Sequence, residues 1–119
     1  MPTFSSSPNR LSKEYGSRYH FGMPTDTAMQ ILSAYKRKQK QNPVADRATL
    51  FKYILWDRFS GKMISDSELN AVAAKSASLS ELAYAVLVRE KPAMAEGVLA
   101  QSAKDAIRRY FTMNYPDGL

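Results

Sequence analysis

The side chains best equipped for chemistry in this 119-residue chain are cationic, and their spacing suits holding an anion better than moving a proton. Arg18, His20 and Gly22 alternate with Tyr19, Phe21 and Met23. In an extended strand the first set shares one face and the second set the other. Further on, Lys36, Arg37, Lys38 and Lys40 crowd the end of a helical stretch, while Arg10 and Lys13 precede the strand. His20 is the single histidine and there is no cysteine, which removes disulfides, thiolate metal sites and a cysteine nucleophile. No two acids stand at a spacing suited to acid–base work, the glycines are scattered, and the serines 5 to 7 have no adjacent base. The expectation is a binding protein that is not an enzyme and uses no metal or cofactor.

The elements that must position these residues follow from periodicity. Pro24 stops the alternation, and Ala28, Ile31, Leu32 and Tyr35 then recur at helical spacing. Thr25 or Asp26 caps that helix, which runs to about residue 39. A lone short strand cannot satisfy its own backbone, and no second strand is legible, so the strand is expected to pair with its copy in another chain. Asn42-Pro43 marks a turn and Asp46 caps a second helix over residues 47 to about 60, with Leu50, Phe51, Ile54, Leu55 and Phe59 as its apolar face. Ser65-Asp66-Ser67-Glu68 and Ser78-Leu79-Ser80-Glu81 have capping-box spacing and open two more helices. Pro92 suits the first turn of a last helix reaching about residue 114, with Val98, Leu99, Ala103, Ala106, Ile107, Tyr110 and Phe111 as its seam and Gly97 as a local weakness.

Charge divides the chain unevenly. Residues 1–62 carry eleven Lys or Arg against four Asp or Glu, and residues 63–119 carry six against seven. A polyanion-binding half joined to a structural half is the reading this asymmetry supports; a merely solvated surface is the alternative. The expected division is a basic arm over 1–16, a polyanion-binding unit over 17–62 and a helical oligomerisation or interaction unit over 63–119. No apolar run approaches the roughly 20 residues that span a bilayer, and the N-terminal residues lack signal-peptide order. A soluble, cytoplasmic protein without membrane contact is expected.

The stretch from Arg18 to Ser60 resembles the ribbon-helix-helix DNA-binding proteins of the Arc and MetJ type. The likeness lies in the alternating strand ending at Met23-Pro24, in Asp26 at the helix start, in Ile31, and in a second helix after a turn. It implies a mainly α fold in which two chains pair their strands into an antiparallel ribbon in the DNA major groove. Arg18, His20 and Gly22 would then face base edges, and the start of the second helix, at Ala45 and Arg47, would approach phosphate. Arg10, Lys13, Lys36, Lys38 and Lys40 would add phosphate contacts. The longer loop and added helices are similar to relaxosome accessory proteins of the TraM type, which implies a helical C-terminal oligomerisation segment.

The expected partner is thus double-stranded DNA, bound by a homo-oligomer acting as a repressor or DNA-processing accessory factor, with another protein docking on the C-terminal helices. An alternative is a small helical phage- or plasmid-type protein that inhibits or adapts another protein. A third reading makes residues 65–90 a helix-turn-helix, but its second helix starts acidic and apolar where a groove reader needs polar and basic side chains.

Overall fold

The computed structural model describes residues 23–60 and 64–119, and within them every regular element is helical. The order is α1 (Met23–Gln41), α2 (Arg47–Phe59), α3 (Asp66–Lys75), α4 (Leu79–Glu90), a 3-10 turn at Pro92–Ala95, α5 (Gly97–Asn114) and a closing 3-10 turn at Pro116–Gly118. α1 occupies the middle, packing on α2, α4 and α5, while α3 packs on α2 and α4.

The expected ribbon is therefore corrected. Met23 and Pro24 lie in the first turn of α1, where a strand was expected to end. A proline lacks the N–H that a first helical turn leaves unbonded anyway, so Pro24 begins this helix as readily as it would stop a ladder. Half-buried Met23 packs on the helical core. Residues 18–22, the remainder of the expected strand, lie outside the described residues.

One contiguous core draws on both sides of residue 62. Ala28, Ile31 and Leu32 of α1 and Phe51, Ile54 and Leu55 of α2 join Leu82, Val86 and Leu87 of α4 and Ala103, Ile107 and Phe111 of α5. The stripes of α4 and α5 thus cover α1 within their own chain.

Local chemistry fixes the boundaries of the shorter helices. Ser65 Oγ accepts from the Glu68 N–H and Ser78 Oγ from the Glu81 N–H, each satisfying a first-turn donor. Glu81 reaches back to the Ala77 N–H at 3.1 Å, one residue ahead of the cap. Buried Ser78 and Ser80 also share a hydroxyl–hydroxyl bond of 3.0 Å. Ser78→Ala is expected to cost about 1–2 kcal/mol, because it removes a cap and leaves Ser80 short of a partner; urea denaturation measures it.

The last helix does not run through from Pro92. Gly97 sits at φ +58°, a left-handed conformation that breaks the chain into the short turn and α5. At the other end, Gly118 lies against Phe111 so closely that an added Cβ would come 2.8 Å from a ring carbon. Arg58 of α2 clamps Glu90 of α4 through two parallel bonds of 2.8 Å, tying the ends of those helices together.

Candidate nucleic-acid interface

An α-helix turns by about 100° per residue, so neighbouring cations on α1 cannot share a face. Lys36 and Lys40 fall within about 40° of each other by the same arithmetic, and both are exposed. Arg37 is also exposed, to one side of them, and lines a shallow groove of about 420 Å³ between α1 and α2 with Gln30, Ser33 and Arg58. Lys38 points away from Lys36 and Lys40, is half-buried, and forms an ion pair with Asp57 of α2. Its charge is already matched.

Lys36 has an aromatic neighbour. Its ammonium lies 5.5 Å from the centre of the Tyr115 ring, which stands 6.4 Å from that of Tyr35. Burial, with Tyr35 and Asp117 adding to it, pushes the Tyr115 hydroxyl above its ordinary range.

The turn from α1 to α2 is closed by its own hydrogen bonds. The backbone N–H and the Nδ2 of Asn42 both donate to the Lys38 carbonyl at 2.9 Å. The Ala45 N–H donates to the Asn42 carbonyl at 3.1 Å and so is spoken for within the chain. Asp46 caps α2, its Oδ1 accepting from the Thr49 N–H at 2.9 Å. Hydrogen bonds from Thr49, side chain first and backbone second, outweigh the opposing desolvation, and with the charge of Lys52 they hold the Asp46 carboxyl below the usual carboxylate range. The start of α2 therefore carries its own anion. Arg47 is exposed, its guanidinium 6.0 Å from the Phe51 ring centre.

The structure thus leaves Lys36, Arg37, Lys40 and Arg47 exposed on the two helices joined at the α1–α2 turn, and adds half-buried Lys52, which the sequence did not single out. None of the five pairs with a carboxylate among the described residues. Lys38 is withdrawn into its pair, and Ala45 offers no unbonded N–H. Arg10, Lys13, Arg18, His20 and Gly22 lie outside the described residues.

Two other features stand on the surface. Tyr53 and Trp56, one turn apart on α2, hold their rings 6.1 Å apart, with Trp56 exposed. A larger groove of about 630 Å³ runs between the start of α4 and α5, where cationic Lys75, Lys104 and Arg108 alternate with Glu81 and Asp105. Lys104 covers the Tyr84 ring at 5.2 Å, and the Tyr84 hydroxyl donates to the Met94 carbonyl. Among the described residues no three His, Cys, Asp or Glu side chains converge as a metal site would need, and no helix is long and apolar enough to cross a membrane. No protein-family model matches the chain, and neither a curated protein nor a solved structure matches it.

Proposed function

We propose that this chain binds double-stranded DNA through phosphate contacts made at the corner between α1 and α2, acting as a regulatory or DNA-processing accessory protein. The observation that carries this reading is the set of five cations on α1 and α2 without carboxylate partners among the described residues, set against exposed anions that include Asp46, which caps α2, and Asp57, which pairs with Lys38. Ion-paired charges such as Lys38 and Arg58 gain little from a phosphate, whereas unpaired ones release condensed counterions when they meet it. The mode differs from ribbon insertion: helical side chains grip the backbone, and sequence preference comes from whatever contacts accompany that grip.

A second reading, docking on another protein, is favoured by exposed Trp56 with half-buried Tyr53 beside it, since Trp and Tyr are the residue types that anchor protein interfaces. Titrating a fluorescein-labelled random duplex at low salt and following anisotropy separates the two. The DNA reading expects saturable binding, tighter than the roughly 10⁻⁴–10⁻⁶ M usual for non-specific binding at physiological salt. Absence of binding would pass the lead to protein docking through Trp56.

A further inference from the structure

α5 buries Ala103, Ile107 and Phe111 on one side, and a second pattern runs along its other side. Leu99, Ser102, Ala106, Arg109 and Met113 recur at alternating steps of three and four, the spacing that keeps one stripe of a helix turned toward a partner helix. Leu99 is 50% exposed and Met113 78%, so each end of the stripe holds a large apolar side chain in water. Between them stand the small residues Ser102 and Ala106 and, one turn before Met113, the exposed Arg109. Single exposed apolar residues need no explanation, but a patterned set on one helix face does.

We infer that this stripe is the seam of a homodimer in which two copies of α5 lie antiparallel about a two-fold axis at Ala106. Such an interface must be self-complementary, because the same patch faces itself after the rotation. The stripe meets that condition. Leu99 and Met113 stand equally far on either side of Ala106, about 10 Å along the helix, so each leucine meets the methionine of the other copy. The small side chain of Ala106 lets the two helices approach where they cross.

Charge selects the direction. Asp105 and Arg109 lie on the same flank of the stripe. Reversing one helix about Ala106 brings Asp105 of each copy to within about 3 Å, along the axis, of Arg109 of the other. A parallel two-fold would instead carry this flank to the opposite side of the seam, so Asp105 and Arg109 of the two copies would not meet. Within one chain Arg109 has no carboxylate partner among the described residues, although Asp105 is only one turn away and accepts instead from Gln101 at 2.9 Å. A single helix–helix seam falls below the roughly 1,200 Å² of standard interfaces, so the dimer forms in a concentration-dependent way. This inference does not rest on the DNA reading.

Sedimentation velocity on the full chain, from low to high micromolar concentration, tests it. The wild-type protein is expected to shift from monomer to dimer. Met113→Glu and Arg109→Asp, both at exposed positions, are each expected to weaken the dimer about tenfold or more, about 1.4 kcal/mol, with unchanged circular dichroism and melting temperature. The double variant Asp105→Arg with Arg109→Asp restores the dimer, because it exchanges the two ends of each pair. A wild-type chain that stays monomeric throughout, or a dimer indifferent to Met113→Glu, overturns the seam. A reversed pair that fails to restore a dimer broken by Arg109→Asp overturns the antiparallel register.

Discussion

Phe111→Ala is expected to lower the free energy of unfolding by about 3–5 kcal/mol, enough to remove much of the 5–15 kcal/mol that holds a typical domain together. Phe111 is fully buried near the end of α5, where three parts of the chain converge on its ring. Gly118 presses against one ring edge, and the Leu79 side chain at the start of α4 lies beside the same spot. Tyr110 meets the ring edge-on at 5.6 Å. Truncation leaves a void that the backbone of the closing turn cannot fill by a rotamer change, so the cavity cost adds to the lost transfer energy. Met113→Ala, on the same helix but 78% exposed, is expected to change stability by under about 0.5 kcal/mol. Urea midpoints for the two variants, read by circular dichroism, make the comparison. Equal midpoints would mean that α5 is not seated on this core.

The triple change Lys36→Gln, Arg37→Gln and Lys40→Gln is expected to weaken duplex binding by two to three orders of magnitude at about 50 mM salt and to flatten its salt dependence. Each cation that meets a phosphate adds about 0.9 to the slope of log affinity against log salt, so losing three removes about 2.7. None of the three side chains is buried, so the fold has no need of their charge. Lys36 gives up only its position over Tyr115, an exposed cation–π contact of about 0.5–1 kcal/mol. Lys75→Gln, at the exposed end of α3, serves as the comparison and is expected to leave binding within about twofold, as a solvated charge remote from the corner should. Anisotropy titrations on one duplex read both. A triple variant that binds like wild type would remove the corner from consideration.

What the sequence makes legible here is mostly local chemistry. Ser65, Ser78 and Asp46 cap the helices they were expected to cap, because a short polar side chain three residues ahead of its target N–H is a signal complete in itself. The apolar face of α2 is equally plain, since Leu50, Phe51, Ile54, Leu55 and Phe59 repeat with the helical period and all are buried. The ribbon expectation failed on ambiguity. Three apolar residues in alternation form too short a run to fix a period, and Pro24 carries the same letter whether it opens a helix or closes a strand.

The candidate site was legible only in part, for a different reason. Lys36, Lys38 and Lys40 look equivalent in a list of charges. Helical rotation sends Lys38 to the far side, and a carboxylate on another helix, Asp57, then neutralises it. The rotation follows from helical spacing, but the pairing with Asp57 is not local. Val98 and Leu99 show the same limit: they were expected in the apolar seam of the last helix, but the left-handed break at Gly97 resets the helix start and leaves both exposed. Sequence spacing gives a helix its faces, and the other helices decide which face is covered.

The measurement that bears most directly on the proposed function is the affinity of the wild-type chain for a random duplex across a salt series. The corner between α1 and α2 predicts a linear fall of log affinity with log salt, with a slope of about −2.7 or steeper, from at least three phosphate contacts. A slope near zero, or no binding at the lowest salt, would contradict it.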